Sequence, residues 1–371
     1  MDKFGFVKLK DVCNINMGQS PDSDSYNDNE DGIPFFQGNA DFGEKYPTTR
    51  KWCNAPTKIA HAEDILISVR APIGALNYAK EECCIGRGLA AITPNQDKVS
   101  SGFIYWLLKG KHKELNLQGT GSTFKAISRK VLEEIKVPDI ELKKQTELAG
   151  SLEKIYSVIQ LRKQQLEELD ILIKARFVEM FGDPIQNEKN WSRRSLEQLC
   201  HSIVDCPHST PNYISEDTGF MCIRTSVVKK NKILWDEIEY IVEDEFNQRI
   251  QRKRPEKGDI VYTREGAILG IAAIIDRNCN VALGQRSMLL SPDSSVCTSE
   301  FICTAMNSDS FLSNALRGIS GSASPHINVG DIKSFEMIAP PLELQRKFSE
   351  FNSQVDKLKV EVQSIFLNCD S

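Results

Sequence analysis

The spacing of apolar residues along the chain switches between two periods, and does so twice. In the first ~140 residues, short β-rich runs such as Ile65–Val69 alternate with Gly, Pro and Asn turns, which predicts strands of an α+β globule. One amphipathic stretch, Phe103–Leu115, predicts a helix among them. From Lys143 onward the apolar positions fall at Leu148, Leu152, Ile155, Ile159, Leu166, Leu169, Ile173 and Met180, with Arg162 in a seam position. Alternating steps of four and three are a heptad pattern. Pro138 precedes it, and Gly182 and Pro184 follow it, so a helix of about 38 residues, roughly 57 Å long, is expected. The same succession then returns. Strands are predicted at Asp259–Thr263 and Ile271–Ile275 and a helix at Phe301–Leu316. A second seam follows Pro340 and Pro341, through Leu344, Phe348, Phe351, Val355, Leu358, Val362 and Ile365.

Residue identities show that the repetition is a duplication. LKDVC (Leu9–Cys13) pairs with LEQLC (Leu196–Cys200), and EDILISVRAPIG (Glu63–Gly74) with GDIVYTREGAILG (Gly258–Gly270). CIGRGLAAITP (Cys84–Pro94) pairs with ALGQRSMLLSP (Ala282–Pro292), GSTFKAI (Gly121–Ile127) with GSASPHI (Gly321–Ile327), and LKKQ (Leu142–Gln145) with LELQ (Leu342–Gln345). Two copies in one chain imply a pseudo-two-fold arrangement, with the two long helices packed antiparallel and a globule toward each end. Separate amphipathic helices, each lying on its own globule, remain the plainer alternative.

Composition adds limits. With 371 residues the chain is long enough for two cores, and 40% hydrophobic and 26% charged residues are those of a globular protein. The opening residues hold no apolar core of signal-peptide length, and the longest apolar run is Ala267–Ile275, so a cytoplasmic protein without membrane association is expected. Eleven scattered cysteines without a CxxC pair argue against a disulfide framework. Cys200, His201, Cys206 and His208 raise the question of zinc, but their spacing matches no standard ligand pattern and the other half offers no counterpart, so no metal is expected. A net charge of −5 counts against a simple polyanion binder. Basic residues nevertheless cluster: seven Lys or Arg against three Glu between Lys109 and Lys136, and six against two acids between Arg249 and Arg264. Such runs are either solvated faces or surfaces for phosphates.

Catalytic signatures are missing from the text of the chain. The nearest approach to an amino-methyltransferase D/N-P-P-aromatic loop is APPLE (Ala339–Glu343), which lacks both the polar residue and the aromatic one. GTGS (Gly119–Ser122) reads as a turn and not a cofactor loop, and there is no GxxxxGK[ST]. Asp139, Glu141 and Lys143 are too compressed for a nuclease motif, and the five histidines form no HExxH and no repeat-related pair. The chain reads as a binder with no catalytic residues of its own.

Several segments resemble the specificity subunit of type I restriction-modification systems. They are FVKLKDVCNINMGQSP (Phe6–Pro21), IPFFQGNADF (Ile33–Phe42), the EDIL and GDIV strands, IELKKQ and PPLELQ, and the junction LEELDILIKARFVEMFGDP (Leu166–Pro184) with its restart at Trp191. The resemblance covers essentially the whole chain. It implies two target recognition domains, at residues 1–142 and 182–341, each reading one half of a bipartite, asymmetric double-stranded DNA site. Spacer helices at 143–181 and 342–371 would fix the unread gap. It also implies that no cofactor binds here: S-adenosylmethionine belongs to modification subunits, two by the family's pattern, and ATP to restriction subunits. A self-contained DNA methyltransferase and a structural coiled-coil adaptor are the rival readings.

Candidate DNA contacts follow from residue type, because Arg and Lys pair bidentately with guanine and Gln and Asn with adenine. Arg70 and Arg87 in the first half, and Arg264, Gln285 and Arg286 in the second, stand near glycines at strand ends in corresponding positions of the two halves. Surface ion pairing is the competing explanation for each. Ser122, Thr123 and Lys125 match Ser322, Ser324 and His326 on a glycine-serine loop, where donors suit phosphates or simply make a turn. Gln37, Asn39, Arg50 and Lys51, and Arg224, Thr225, Lys229 and Lys230, complete the set. Leu152, Ile159, Leu166, Phe348, Val355, Leu358 and Val362 are assigned to the spacer and the subunit interface. Arg264→Ala is expected on this basis to relax preference in one half-site alone.

Overall fold

A computed structural model describes residues 5–120, 125–317 and 325–367. The chain divides into two compact units, 1–160 and 161–371. The first unit opens with β1 (Gly5–Lys8) and β2 (Cys13–Met17), followed by β3 (Ile33–Phe36), β4 (Ile65–Ser68), β5 (Leu76–Tyr78), β6 (Cys83–Ile85) and β7 (Leu89–Pro94). Helix α1 (Ser101–Gly110), strand β8 (Lys136–Asp139) and the first part of the long helix α2 (Leu142–Phe181) complete the series. β2, β7, β4 and β5 form a four-stranded antiparallel sheet in that order, β1 pairs with β8, and β3 lies parallel to β6 within a five-stranded sheet.

The second unit repeats this plan. Its strands are β9 (Arg193–Ser195), β10 (Cys200–Asp205), β11 (Met221–Ile223), β12 (Ile260–Thr263), β13 (Ala272–Ile274), β14 (Val281–Leu283), β15 (Ser287–Pro292) and β16 (Glu336–Ile338), with helices α3 (Ser299–Met306) and α4 (Leu342–Leu367). The antiparallel order β10-β15-β12-β13, the β9–β16 pair and the parallel β11–β14 pair are those of the first unit. No described helix is long and apolar enough to cross a membrane.

Strand alternation explains the layering. Successive side chains of a strand point to opposite faces, so Ile65 and Ile67 enter a core with Leu9, Ile104 and Leu108, while Leu66 enters another with Phe36, Ile85 and Leu89. Likewise Ile260 and Tyr262 pack with Phe301, and Val261 packs with Ile223 and Leu283. The central strand of each unit is buried on both sides.

The sequence predicts one helix in each globule; the structure has two short ones in each place. α1 is followed by a helix at His112–Gln118, and α3 by one at Asp309–Ala315. In the second unit the break has a visible cause. Asn307 is buried and bonds to Ala272 through both ends of its amide, at 3.0 and 2.8 Å. Ser308 then caps a fresh helix by accepting from the Phe311 N–H.

A matched pair of glutamines joins each long helix to its globule. Gln145 Oε1 accepts from the Ser100 N–H at 2.9 Å while its Nε2 donates to the Ile140 carbonyl at 2.8 Å. Gln345 does the same with the Thr298 N–H, at 3.0 Å, and the Pro340 carbonyl, at 2.8 Å. Ser100 and Thr298 are the N-caps of α1 and α3. Gln345→Leu strands a half-buried N–H and a buried carbonyl, so a loss of about 1–3 kcal/mol is expected in urea denaturation.

The long helices depart from the seam expectation in part. Within the second unit Phe177 meets Phe348 at 5.5 Å between ring centroids, the Arg176 guanidinium lies 5.7 Å from the Phe351 ring, and Asp170 pairs with Lys359 at 2.7 Å. Numbers rising on α2 as they fall on α4 mean that these segments run antiparallel. Phe348 and Val355 are buried there, and Ile159, Leu166 and Val362 are half-buried. Leu152 and Leu358, however, are 42% and 48% exposed. They are therefore not buried seam residues in this chain. On the last part of α2 (Leu142–Phe181), Ile173, Phe177 and Phe181 join the core of the second unit. The side chain of Ile365 lies outside the described residues.

Candidate nucleic-acid interface

In the first unit, backbone hydrogen bonds gather four of the candidate side chains at one end of β4. The Val69 N–H donates to the Gly88 carbonyl at 2.9 Å, and the Gly88 N–H to the Gln37 carbonyl at 3.1 Å. The Ala71 N–H donates to Lys125 at 3.1 Å, and Arg70 bridges to Ala126. Gln37, Arg70, Arg87 and Lys125 are all exposed. None of them has an ion-pair partner among the described residues. Asn39 opens the short helical turn after Gln37, and Asp41 accepts from the Gln37 N–H at 2.8 Å. Lys51 reaches β3 through its carbonyl, which accepts from the Phe35 N–H, and Arg50 precedes it. Ser122, Thr123, Ser322 and Ser324 lie outside the described residues.

The same hydrogen bonds recur in the second unit and fix which residues are equivalent. The Arg264 N–H donates to the Arg286 carbonyl at 3.0 Å, the Ile327 N–H to the Arg264 carbonyl at 2.8 Å, and the Gly266 N–H to the Pro325 carbonyl at 3.1 Å. In the first unit these roles belong to Val69 with Gly88, Ile127 with Val69, and Ala71 with Lys125. Arg264 is thus the counterpart of Val69, and Arg70 is the counterpart of Glu265, which bridges to His326 as Arg70 does to Ala126. By the same register Gln285 corresponds to Arg87 and Arg286 to Gly88. The expected match of Arg70 with Arg264 is off by one residue, which in a strand exchanges the two faces.

That shift decides what Arg264 does. Val69 points into the core, so Arg264 is buried as well, 7% exposed. Its guanidinium is held edge-on by Asp205, with Nε at 2.9 Å from Oδ1 and Nη2 at 3.1 Å from Oδ2. Asp205 also takes His208 Nε2 at 3.1 Å. Arg264 is therefore not a base-reading side chain in this structure: the pair of donors that would meet guanine is occupied by a carboxylate. Asp205 itself stands where the first unit has Met17, since Met17 faces Ala90 and Asp205 faces Met288 in matching ladders.

Other candidates remain at the surface. Arg224 donates through Nη1 to the Glu239 carboxylate, and its guanidinium lies 4.8 Å from the Tyr213 ring centroid. Bonding to the Glu239 carboxylate holds the Arg224 pKa above its usual value. Gln285 Nε2 donates to Thr210 Oγ1 at 3.1 Å. Arg286 adopts φ +71°, with Nε 4.0 Å from Glu265 Oε1. Thr225 begins a helical turn beside Arg224, as Asn39 does beside Gln37. Lys229 lies exposed on a small hairpin, and Lys230 is tied to Asp309 at 2.9 Å. His326 is exposed.

Sequence reasoning did not find the residues that hold these contacts in place: Ser20, Asp205, Thr210, Tyr213 and Glu239. A signal existed for one of them, Ser20, because GQS (Gly18–Ser20) and CPH (Cys206–His208) follow equivalent strands, which makes Ser20 the match of His208. The suspected zinc segment disperses. Cys206 is buried and its thiol pKa raised by that burial, His208 turns to Asp205, and His201 lies 3.8 Å from Asp293.

Comparison with known proteins identifies the family. The profile of the type I restriction modification DNA specificity domain matches twice, at residues 1–170 and 188–364. The type I restriction enzyme MjaX specificity subunit of Methanocaldococcus jannaschii is 44% identical over 156 residues, a stretch spanning 42% of this chain and 37% of that protein. The EcoBI specificity subunit of Escherichia coli is 20% identical over 96% of this chain and 81% of its own length. The crystal structure of the type I restriction-modification S subunit from M. genitalium superposes with a TM-score of 0.60 at 13% identity, covering 99% of this chain and 94% of that one, a likeness of fold. With two matched domains that take in most of its length, the chain belongs to the type I restriction-modification DNA specificity family.

Proposed function

We propose that this chain is the DNA-reading, non-catalytic specificity subunit of a type I restriction-modification assembly. Each unit reads one half of a bipartite, asymmetric duplex site, in a pseudo-two-fold arrangement. The two long helices set the unread gap as a paired coiled coil and dock two modification subunits. S-adenosylmethionine and ATP are handled by partner subunits, in the cytoplasm. One observation carries this reading: the same hydrogen-bonded frame is built in both units, yet the side chains it presents differ at almost every equivalent position. Gln37, Arg87 and Arg70 correspond to Arg224, Gln285 and Glu265. A common frame with divergent polar tips is what reading two unlike half-sites requires, because phosphate contacts set register whereas base edges carry the sequence.

Coexpression with a modification subunit, followed by mapping of methylated positions across the genome, tests the proposal. A motif of two constant blocks separated by a fixed gap is the expected result. A single block, or methyl transfer by the purified chain alone, would overturn it. Arg87→Ala is expected to weaken discrimination in one block by about 1–3 kcal/mol and to leave the other block unchanged. The affinity of the wild type should also fall steeply with salt, as phosphate contacts dictate.

A further inference from the structure

We infer that the residue directly after β3 and after β11 is a specificity-determining position in each unit: Arg224 reads a guanine and its counterpart Gln37 reads an adenine. The inference rests on the proposed half-site reading and adds which bases two named residues select.

Equivalence comes first. The Gly86 N–H donates to the Phe36 carbonyl at 2.8 Å, and the Gly284 N–H donates to the Ile223 carbonyl at 2.8 Å. Gln37 and Arg224 therefore leave their strands at the same point of the frame. In both units a glycine clears the space around that point. A Cβ on Gly86 would lie 2.4 Å from Gln37 Oε1, and one on Gly284 would lie 2.8 Å from Tyr213 Oη and 2.9 Å from the Ile223 carbonyl. The side chain in the first unit, and the ring beneath it in the second, are seated where only glycine leaves room.

Geometry then separates Arg224 from Arg264. The Nε–Nη2 edge of Arg264 is occupied by Asp205. On Arg224 the carboxylate of Glu239 takes Nη1, and no partner holds Nε or Nη2 among the described residues. Stacking on Tyr213 and the bond to Glu239 fix the plane of the guanidinium before any ligand arrives, which lowers the ordering cost of binding. A planar pair of donors held this way matches guanine O6 and N7. Gln37 carries one donor and one acceptor, the pattern adenine N6 and N7 require. Its carboxamide rests against the Ser20 hydroxyl, 3.0 Å from Nε2 and 3.1 Å from Oε1, and can exchange that single group for a base edge.

The test is selection from a randomised duplex library by the full chain in complex with its modification subunit, as wild type and as Arg224→Gln, Gln37→Arg and Glu239→Gln. Arg224→Gln is expected to exchange one guanine for adenine in one block, and Gln37→Arg one adenine for guanine in the other, each with a change in preference of roughly 5- to 150-fold. Glu239→Gln should lower guanine discrimination several-fold at the Arg224 position alone. In each variant the untouched block reports that the protein is folded. If the wild type selects a two-block motif that none of these substitutions alters, the residue assignment is wrong and the half-site reading stands. If the wild type selects no motif, both fall.

Discussion

Replacing Asp205 with alanine is expected to destabilise the second unit by about 3–5 kcal/mol, because it leaves the Arg264 guanidinium buried without a counter-charge. The Asp205 and Arg264 side chains are only 16% and 8% exposed, so water does little to screen the loss. The expected effect on the pair as a whole is different. The first unit fills the same two places with Met17 and Val69, and an apolar pair of suitable shape often matches or exceeds a buried ion pair in stability. The double variant Asp205→Met with Arg264→Val should therefore recover most or all of the stability lost by Asp205→Ala. Urea denaturation followed through the second-unit aromatics measures both. A double variant as weak as the single one would mean that the two units do not share this register.

The same pair shows what the sequence could and could not yield. Duplication, the strand runs and the long helices were all legible, since each is a local pattern of spacing or identity. The position of Arg264 was not. Its neighbours align with Arg70 by residue type, and a charged residue at a strand end is ordinarily taken as exposed. Burial became apparent only from ladder register, which depends on hydrogen bonds between segments some 20 to 60 residues apart, as from Arg264 to Arg286 and to Ile327. Arg224 was legible as a candidate, but Tyr213 and Glu239, which hold its guanidinium, were not. Both approach it across the fold, and nothing in the spacing of the chain announces that they meet. Leu152 shows the opposite error: a heptad position was recognisable, whereas the partner that would bury it is a property of packing.

Phe348→Ala carries the second large expectation, a loss of about 3–5 kcal/mol. The Phe348 ring is fully buried, with Phe177 at 5.5 Å and Phe181 at 5.6 Å between centroids, and both of those rings pack on Phe301. Removing it opens a cavity where α2, α3 and α4 meet. Leu148 occupies the equivalent place on α2 and is 39% exposed, so Leu148→Ala should cost about 1 kcal/mol or less. Equivalent positions with unequal costs follow from what covers them. Ile173, Phe177 and Phe181 are packed into the core that contains Phe348 and Val355, whereas Leu148, Leu152 and Ile155 remain exposed on the first half of α2. Hydrogen exchange along α4 should accelerate in the Phe348 variant and stay unchanged in the Leu148 variant. If the antiparallel contact between α2 and α4 also sets the gap between half-sites, a folded Phe348→Leu protein should tolerate gaps one base pair longer or shorter while keeping the bases of both blocks. Loosening the bases and not the gap would instead assign this aromatic cluster to the recognition surface, and the spacer role would have to be carried elsewhere on the helices.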